Sequence, residues 1–117
     1  MASRHLIHAI VMSVAAFGVL AASTYPGAAA AARATSTHEV VMEATSFSPL
    51  ELTVKLGDSV VWINKDFFPH TATSKAGKFD SGSIDAGKSW THTPRARGEF
   101  DYICSLHPTM KATLLVK

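Results

Sequence analysis

From residue 37 onward, apolar and polar positions alternate with a period close to two, the pattern of strands with one buried face. His38 to Ala44 holds Val40, Val41 and Met42 and predicts a first short strand. Ser46-Phe47-Ser48-Pro49 reads as a turn or bulge. Leu50, Leu52, Val54 and Leu56 alternate with Glu51, Thr53 and Lys55, and Gly57-Asp58 ends that strand with turn chemistry. Ser59 to Asn64 carries the continuous run Val60-Val61-Trp62-Ile63, suited to an interior strand. Lys65 to Pro69 reads as a loop, Thr71 to Ser74 as a brief strand, and the Gly-, Ser- and Asp-rich stretch Lys75 to Gly87 mainly as loop. Lys88 to Thr93 predicts a strand with Trp90 facing inward. Pro94 and Gly98 bracket a turn. Glu99 to Cys104 places Phe100, Tyr102 and Cys104 on one face, and Ala112 to Val116 closes the chain. Six to eight short strands at regular spacing, with little or no helix, predict an all-β fold, a Greek-key β-sandwich.

Before residue 37 the pattern is different. Arg4 precedes an apolar stretch of 14 residues, Ala9 to Ala22. That is the length of a signal-peptide core and short for a membrane span. Ala30-Ala31-Ala32 before Arg33, and Ala32-Arg33-Ala34 before Thr35, both offer small-residue cleavage sites. Residues 1–34 are therefore expected to form a leader cleaved near 30–36, with residues 35–117 as the exported, periplasmic domain. Retention as an anchor is the competing reading.

Composition narrows the function. The 117 residues are 47% hydrophobic and 17% charged, which argues against disorder. A net charge of +2 gives no support for nucleic-acid binding. The single cysteine excludes an intramolecular disulfide. A free thiol in an oxidising compartment is a liability unless something, such as a metal, protects it.

The segment Cys104-Ser105-Leu106-His107-Pro108-Thr109-Met110 places a thiolate, an imidazole and a thioether at three-residue intervals, on a loop between two strands. Sulfur ligands with imidazole suit copper cycling between Cu(I) and Cu(II). His70, at a strand end behind Phe68-Pro69, is the best candidate for a second imidazole, and Asn64 is placed to brace that loop. Each residue taken singly has a plainer role: Met as core, His beside Pro as turn, Cys as a small buried hydrophobe. Taken jointly, Cys-x2-His-x2-Met is poor core spacing. A structural zinc site on Cys104 and the two histidines is the other metal reading. His38 and His92 read as strand residues outside the site.

The Cys-x2-His-x2-Met loop, the stretch Val60-Val61-Trp62-Ile63-Asn64 followed by Phe68-Pro69-His70, and the approach strand Gly98 to Cys104 resemble the cupredoxins. These are small blue copper proteins, and the likeness is greatest to the amicyanins, with plastocyanins and pseudoazurins as wider relatives. It covers roughly residues 38–117. It implies one type 1 copper ion held by His70, Cys104 and His107 in a trigonal plane with Met110 as a long axial ligand. It implies an electron carrier rather than an enzyme; the domain is expected to be monomeric and free of the membrane once the leader is cleaved. Transient redox protein partners would dock through an apolar surface around His107 drawn from Phe67, Phe68, Pro69, Leu106 and Pro108. Copper storage, delivery or resistance is the alternative function, although no Met- or His-rich tract occurs. One departure stands out. The residue after the first histidine, often an Asn that ties the two ligand loops, is Thr71 here; its hydroxyl can still donate a hydrogen bond, so the tie is expected in weaker form.

Overall fold

The computed structural model describes residues 33–117, together with residues 18, 21–23 and 27. The expected leader lies almost wholly outside the described residues. The chain separates into two units, Met1–Ala31 and Ala32–Lys117, and the second holds the described strands and the candidate site.

Nine strands make up that unit: β1 (Thr37–Glu43), β2 (Ser46–Ser48), β3 (Glu51–Val54), β4 (Ser59–Asn64), β5 (Thr73–Ser74), β6 (Phe79–Asp80), β7 (Ser89–His92), β8 (Gly98–Cys104) and β9 (His107–Val116). They form two mixed sheets, ordered β2-β1-β4-β7 and β3-β9-β8-β5-β6. The β1–β4 and β3–β9 pairs are parallel. The expected all-β Greek-key sandwich is the fold of the domain, and no helix occurs among the described residues.

Alternation places the core. β4 buries Val60, Trp62 and Asn64 and leaves Val61 and Ile63 half-buried. The continuous apolar run therefore belongs to a strand buried on one face, although it does lie between two neighbours. β8 buries Tyr102 and Cys104, and β9 buries Met110, Ala112, Leu114 and Val116. The sheets meet where Tyr102 takes Phe47 edge-on at 4.7 Å and Trp62 edge-on at 5.6 Å. Such aromatic pairs add to plain area burial. Trp62 Nε1 and Tyr102 Oη are buried there without a hydrogen-bond partner. Burial pushes the Tyr102 hydroxyl up to about 12, a rise tempered by the nearby indole N–H, which stays outside hydrogen-bond geometry.

Strand count is where expectation and structure part. β2 lies where a turn was expected, and β6 lies inside the stretch expected to be loop. Both are too short for a period of two to register. Each is pinned by one buried aromatic, Phe47 and Phe79 respectively. The β1–β2 turn also lacks the usual glycine. Ala44 (φ 51°) and Thr45 (φ 54°) both sit in the left-handed region, at a cost of roughly 1–2 kcal/mol per residue. The Asp66 carboxylate offsets this by accepting both amides, from Ala44 at 2.8 Å and Thr45 at 3.0 Å.

At the opposite end of the register, Asp58 gathers the N-terminal segment. It accepts bonds from the Ser36 and Lys55 amides, pairs with Arg33 at 2.9 Å and meets His38 Nε2 at 3.0 Å. The Ser36 amide, His38, the Lys55 amide and Arg33 hold its carboxyl far below the usual carboxylate range, against the upward push of burial.

Candidate metal centre

Cys104 closes β8 and His107 opens β9, so only Ser105 and Leu106 separate the two strands. The loop expected around the motif is thus a two-residue turn followed at once by strand. The register then breaks: Ile103 faces Lys111, while Cys104 faces His107. Residues 108–110 are the extra length on β9, and Met110 ends that excursion buried. A bulge of this kind re-aims side chains, and here it lets three sulfur- or nitrogen-bearing residues share one hairpin end.

His70 comes from the other loop. Its backbone is clamped to Ile84 by two bonds, His70 N–H to Ile84 O at 3.1 Å and the reverse at 2.7 Å. Asn64 braces the approach as expected. Its amide donates to Phe68 O and Ile84 O, each at 2.8 Å, and its Oδ1 accepts the Asp66 N–H at 2.9 Å. The His70 side chain is fully buried.

His70, Cys104 and His107 are brought together, with one donor atom of each lying within 4.8 Å of the others. Cys104 Sγ stands 3.6 Å from His70 Nδ1 and 3.8 Å from His107 Nδ1. A first-row metal ion at about 2.3 Å from sulfur and about 2.0 Å from nitrogen, with trigonal angles, sets sulfur and nitrogen about 3.7 Å apart. The residues therefore fit one ion. Two imidazoles and one thiolate are a donor set suited to copper, and this site fits one type 1 copper ion.

Thr71 keeps the tie between the two loops. Its hydroxyl accepts the Ser105 N–H at 2.8 Å and bonds Ser105 Oγ at 3.0 Å, and its own N–H points at Cys104 Sγ at 3.3 Å. The hydroxyl acts chiefly as an acceptor towards the backbone.

The histidines face one another at a ring separation of 5.1 Å, and Phe68 packs on both, 5.1 Å from His70 and 5.5 Å from His107. His107 is half-buried, in contrast to His70. Exposed apolar side chains cluster by sequence next to these ligands: Phe67 is 99% exposed, Phe68 42% and Leu106 52%.

The model of the cupredoxin-like domain family matches residues 9–116. The chain is a cupredoxin. Its relatives place it beside the amicyanins. It is 28% identical to the amicyanin of Paracoccus versutus over 83 residues, covering 67% of this chain and 63% of that protein. It is 29% identical to amicyanin-alpha of Methylorubrum extorquens over 84 residues, covering 68% and 71%. The chain thus spans under two thirds of the length of the first relative. Among solved structures, a copper-containing nitrite reductase from Thermus scotoductus superposes with a TM-score of 0.65 at 29% identity, over 69% of this cupredoxin and 22% of the enzyme chain.

Motif spacing does not reveal one residue of consequence, Asp66. Asp66 Oδ2 lies 2.6 Å from His70 Nε2. Burial raises the carboxyl, but bonds from His70, Thr45 and Ala44 outweigh that and hold it below the ordinary range. An acidic residue four places before a candidate ligand was the available signal, since ligating histidines commonly donate their second N–H to a carboxylate. His38 and His92 stand apart from the cluster, the first on Asp58 and the second stacked on Trp90 at 5.4 Å.

Proposed function

We propose that this cupredoxin is an exported electron carrier. His70, Cys104 and His107 would hold a copper ion, with Met110 as a fourth, weaker donor. The convergence of a buried thiol and two imidazole nitrogens within 4.8 Å carries the reading. Copper bound there supplies a one-electron Cu(I)/Cu(II) couple. Cys104 binds as the thiolate, and the Thr71 N–H stabilises charge on its sulfur. Ser105, fixed to Thr71, holds the hairpin end at constant distance from the His70 loop. If these four residues fill the positions around the ion, substrate would have no place on it, which favours a carrier over an enzyme. The likeness to nitrite reductase covers a minor part of that enzyme.

His107 is the half-buried ligand, and its edge is the electron's way out. Phe67, Phe68, Pro69, Leu106 and Pro108, all exposed, offer an apolar surface to redox protein partners. Redox encounters of this type bury less than about 1,200 Å², which suits a monomer that binds and leaves quickly. Periplasmic location rests on the form of residues 1–34. The test is the visible and electron paramagnetic resonance spectrum of the purified protein after addition of Cu(II). An intense thiolate-to-copper band with a narrow copper hyperfine pattern is expected. A colourless protein that takes up zinc in preference overturns the proposal.

A further inference from the structure

Asp66 joins two features that the sequence keeps apart. One is the β1–β2 turn, whose Ala44 and Thr45 hold positive φ without glycine. The other is the fully buried imidazole of His70. The carboxylate accepts the Ala44 N–H at Oδ1, and the Thr45 N–H and the His70 ring at Oδ2. Its own N–H is held by Asn64. These bonds hold the carboxylate against His70 from both oxygens and from its own backbone.

An ionised carboxylate only accepts hydrogen bonds. At 2.6 Å, His70 Nε2 therefore donates, and in the neutral ring that a metal requires this leaves the lone pair on Nδ1. Nδ1 is the nitrogen that stands 3.6 Å from Cys104 Sγ. The negative charge also makes the imidazole a stronger donor, and a stronger donor favours Cu(II) over Cu(I). Geometry and charge act in the same direction.

We propose that Asp66 is a positioning residue that fixes the His70 tautomer and, through its charge, lowers the reduction potential of the copper held by that ring. The β1–β2 turn is the mount for this carboxylate, so a hairpin on the neighbouring sheet helps to set the electronics of the site. The inference rests on the carrier reading for its redox half. Its tautomer half concerns the polypeptide alone.

The experiment uses the full chain with three substitutions. Asp66→Asn keeps an acceptor for His70 and removes the charge. Asp66→Ala removes both. Thr45→Gly relieves the turn and leaves the carboxylate in place, and the first two are also made in this background so that loss of the turn does not prevent folding. Nitrogen NMR of the metal-free protein reads the tautomer: His70 protonated at Nε2 in the wild type, and a mixture in Asp66→Ala. Voltammetry of the copper protein reads the potential. Asp66→Asn is expected to lower the ratio of Cu(II) to Cu(I) affinity about tenfold, a rise of about 59 mV for one electron. Thr45→Gly is expected to raise the unfolding midpoint with the potential unchanged. A potential that stays at the wild-type value in Asp66→Asn overturns the electronic role. A His70 ring still purely protonated at Nε2 in Asp66→Ala overturns the positioning role. A wild type that binds no copper defeats the carrier reading instead, while the metal-free NMR still decides the tautomer.

Discussion

At the scale of single residues, the centre divides its work by exposure. Cys104 and His70 are fully buried, His107 is half-buried, and Met110 sits at the end of the β9 excursion. Under the proposed function the Cys104 sulfur is the one that couples to the metal, so Cys104→Ala is expected to abolish the intense visible band outright, as read by absorption after Cu(II) addition. Met110 is different. A weak axial thioether tunes the couple more than it secures the ion. Met110→Leu keeps the apolar volume and removes a donor that helps Cu(II), so copper content by mass spectrometry should stay near one per chain while the potential rises. A variant that emerges copper-free under loading conditions sinks the axial assignment. Thr71 ties both partners from one position, bonding Ser105 through its side-chain hydroxyl and Cys104 through its backbone N–H.

At the scale of elements, short strands are held by single anchors. β2 contributes one buried side chain, Phe47, which packs edge-on against Tyr102 at 4.7 Å. Phe47→Ala is expected to cost about 3–5 kcal/mol, the range for emptying a buried aromatic site, measurable as a lowered urea midpoint. The same shortness explains what could be read in advance. β4 and β8 were legible because alternation runs through six and seven residues. β2 and β6 were not, because three and two residues carry no period. β9 was recognised only from Ala112, since Pro108 and the bulge at 108–110 mask its start at His107. The ligand candidates were legible from residue type and spacing. Asp66 was not, because what defines it is contact with Ala44 and Thr45, more than twenty positions away.

At the scale of the whole molecule, two buried acids bound the pH range of the fold. Asp58 ionises near 3.8 when unfolded and far lower when folded. Its contribution is complete above that pH and is lost progressively as pH falls below it. Tyr102 ionises near 10.0 unfolded and near 12 folded. Its contribution is intact below pH 10.0 and drains away as pH climbs towards 12. Urea midpoints across pH should therefore fall at both ends. Asp58→Asn should flatten the acid limb and Tyr102→Phe the alkaline one. The secreted protein is also expected to begin between Ala31 and His38, which intact mass decides, and a species still bearing residues 1–22 indicates an anchor instead. Finally, the parallel pairing of β3 with β9 sets Glu51 against Thr113 and Val54 against Val116. The five-stranded sheet cannot close until its last strand has been made, and sheets built from such distant partners fold in milliseconds to seconds rather than microseconds. Throughout that interval Cys104 is an uncovered thiol, because His70 and Thr71 reach it only across 34 and 33 positions of chain. The hazard to this protein is thus one of time: the thiol is most open to oxidation before closure, and burial shields it afterwards.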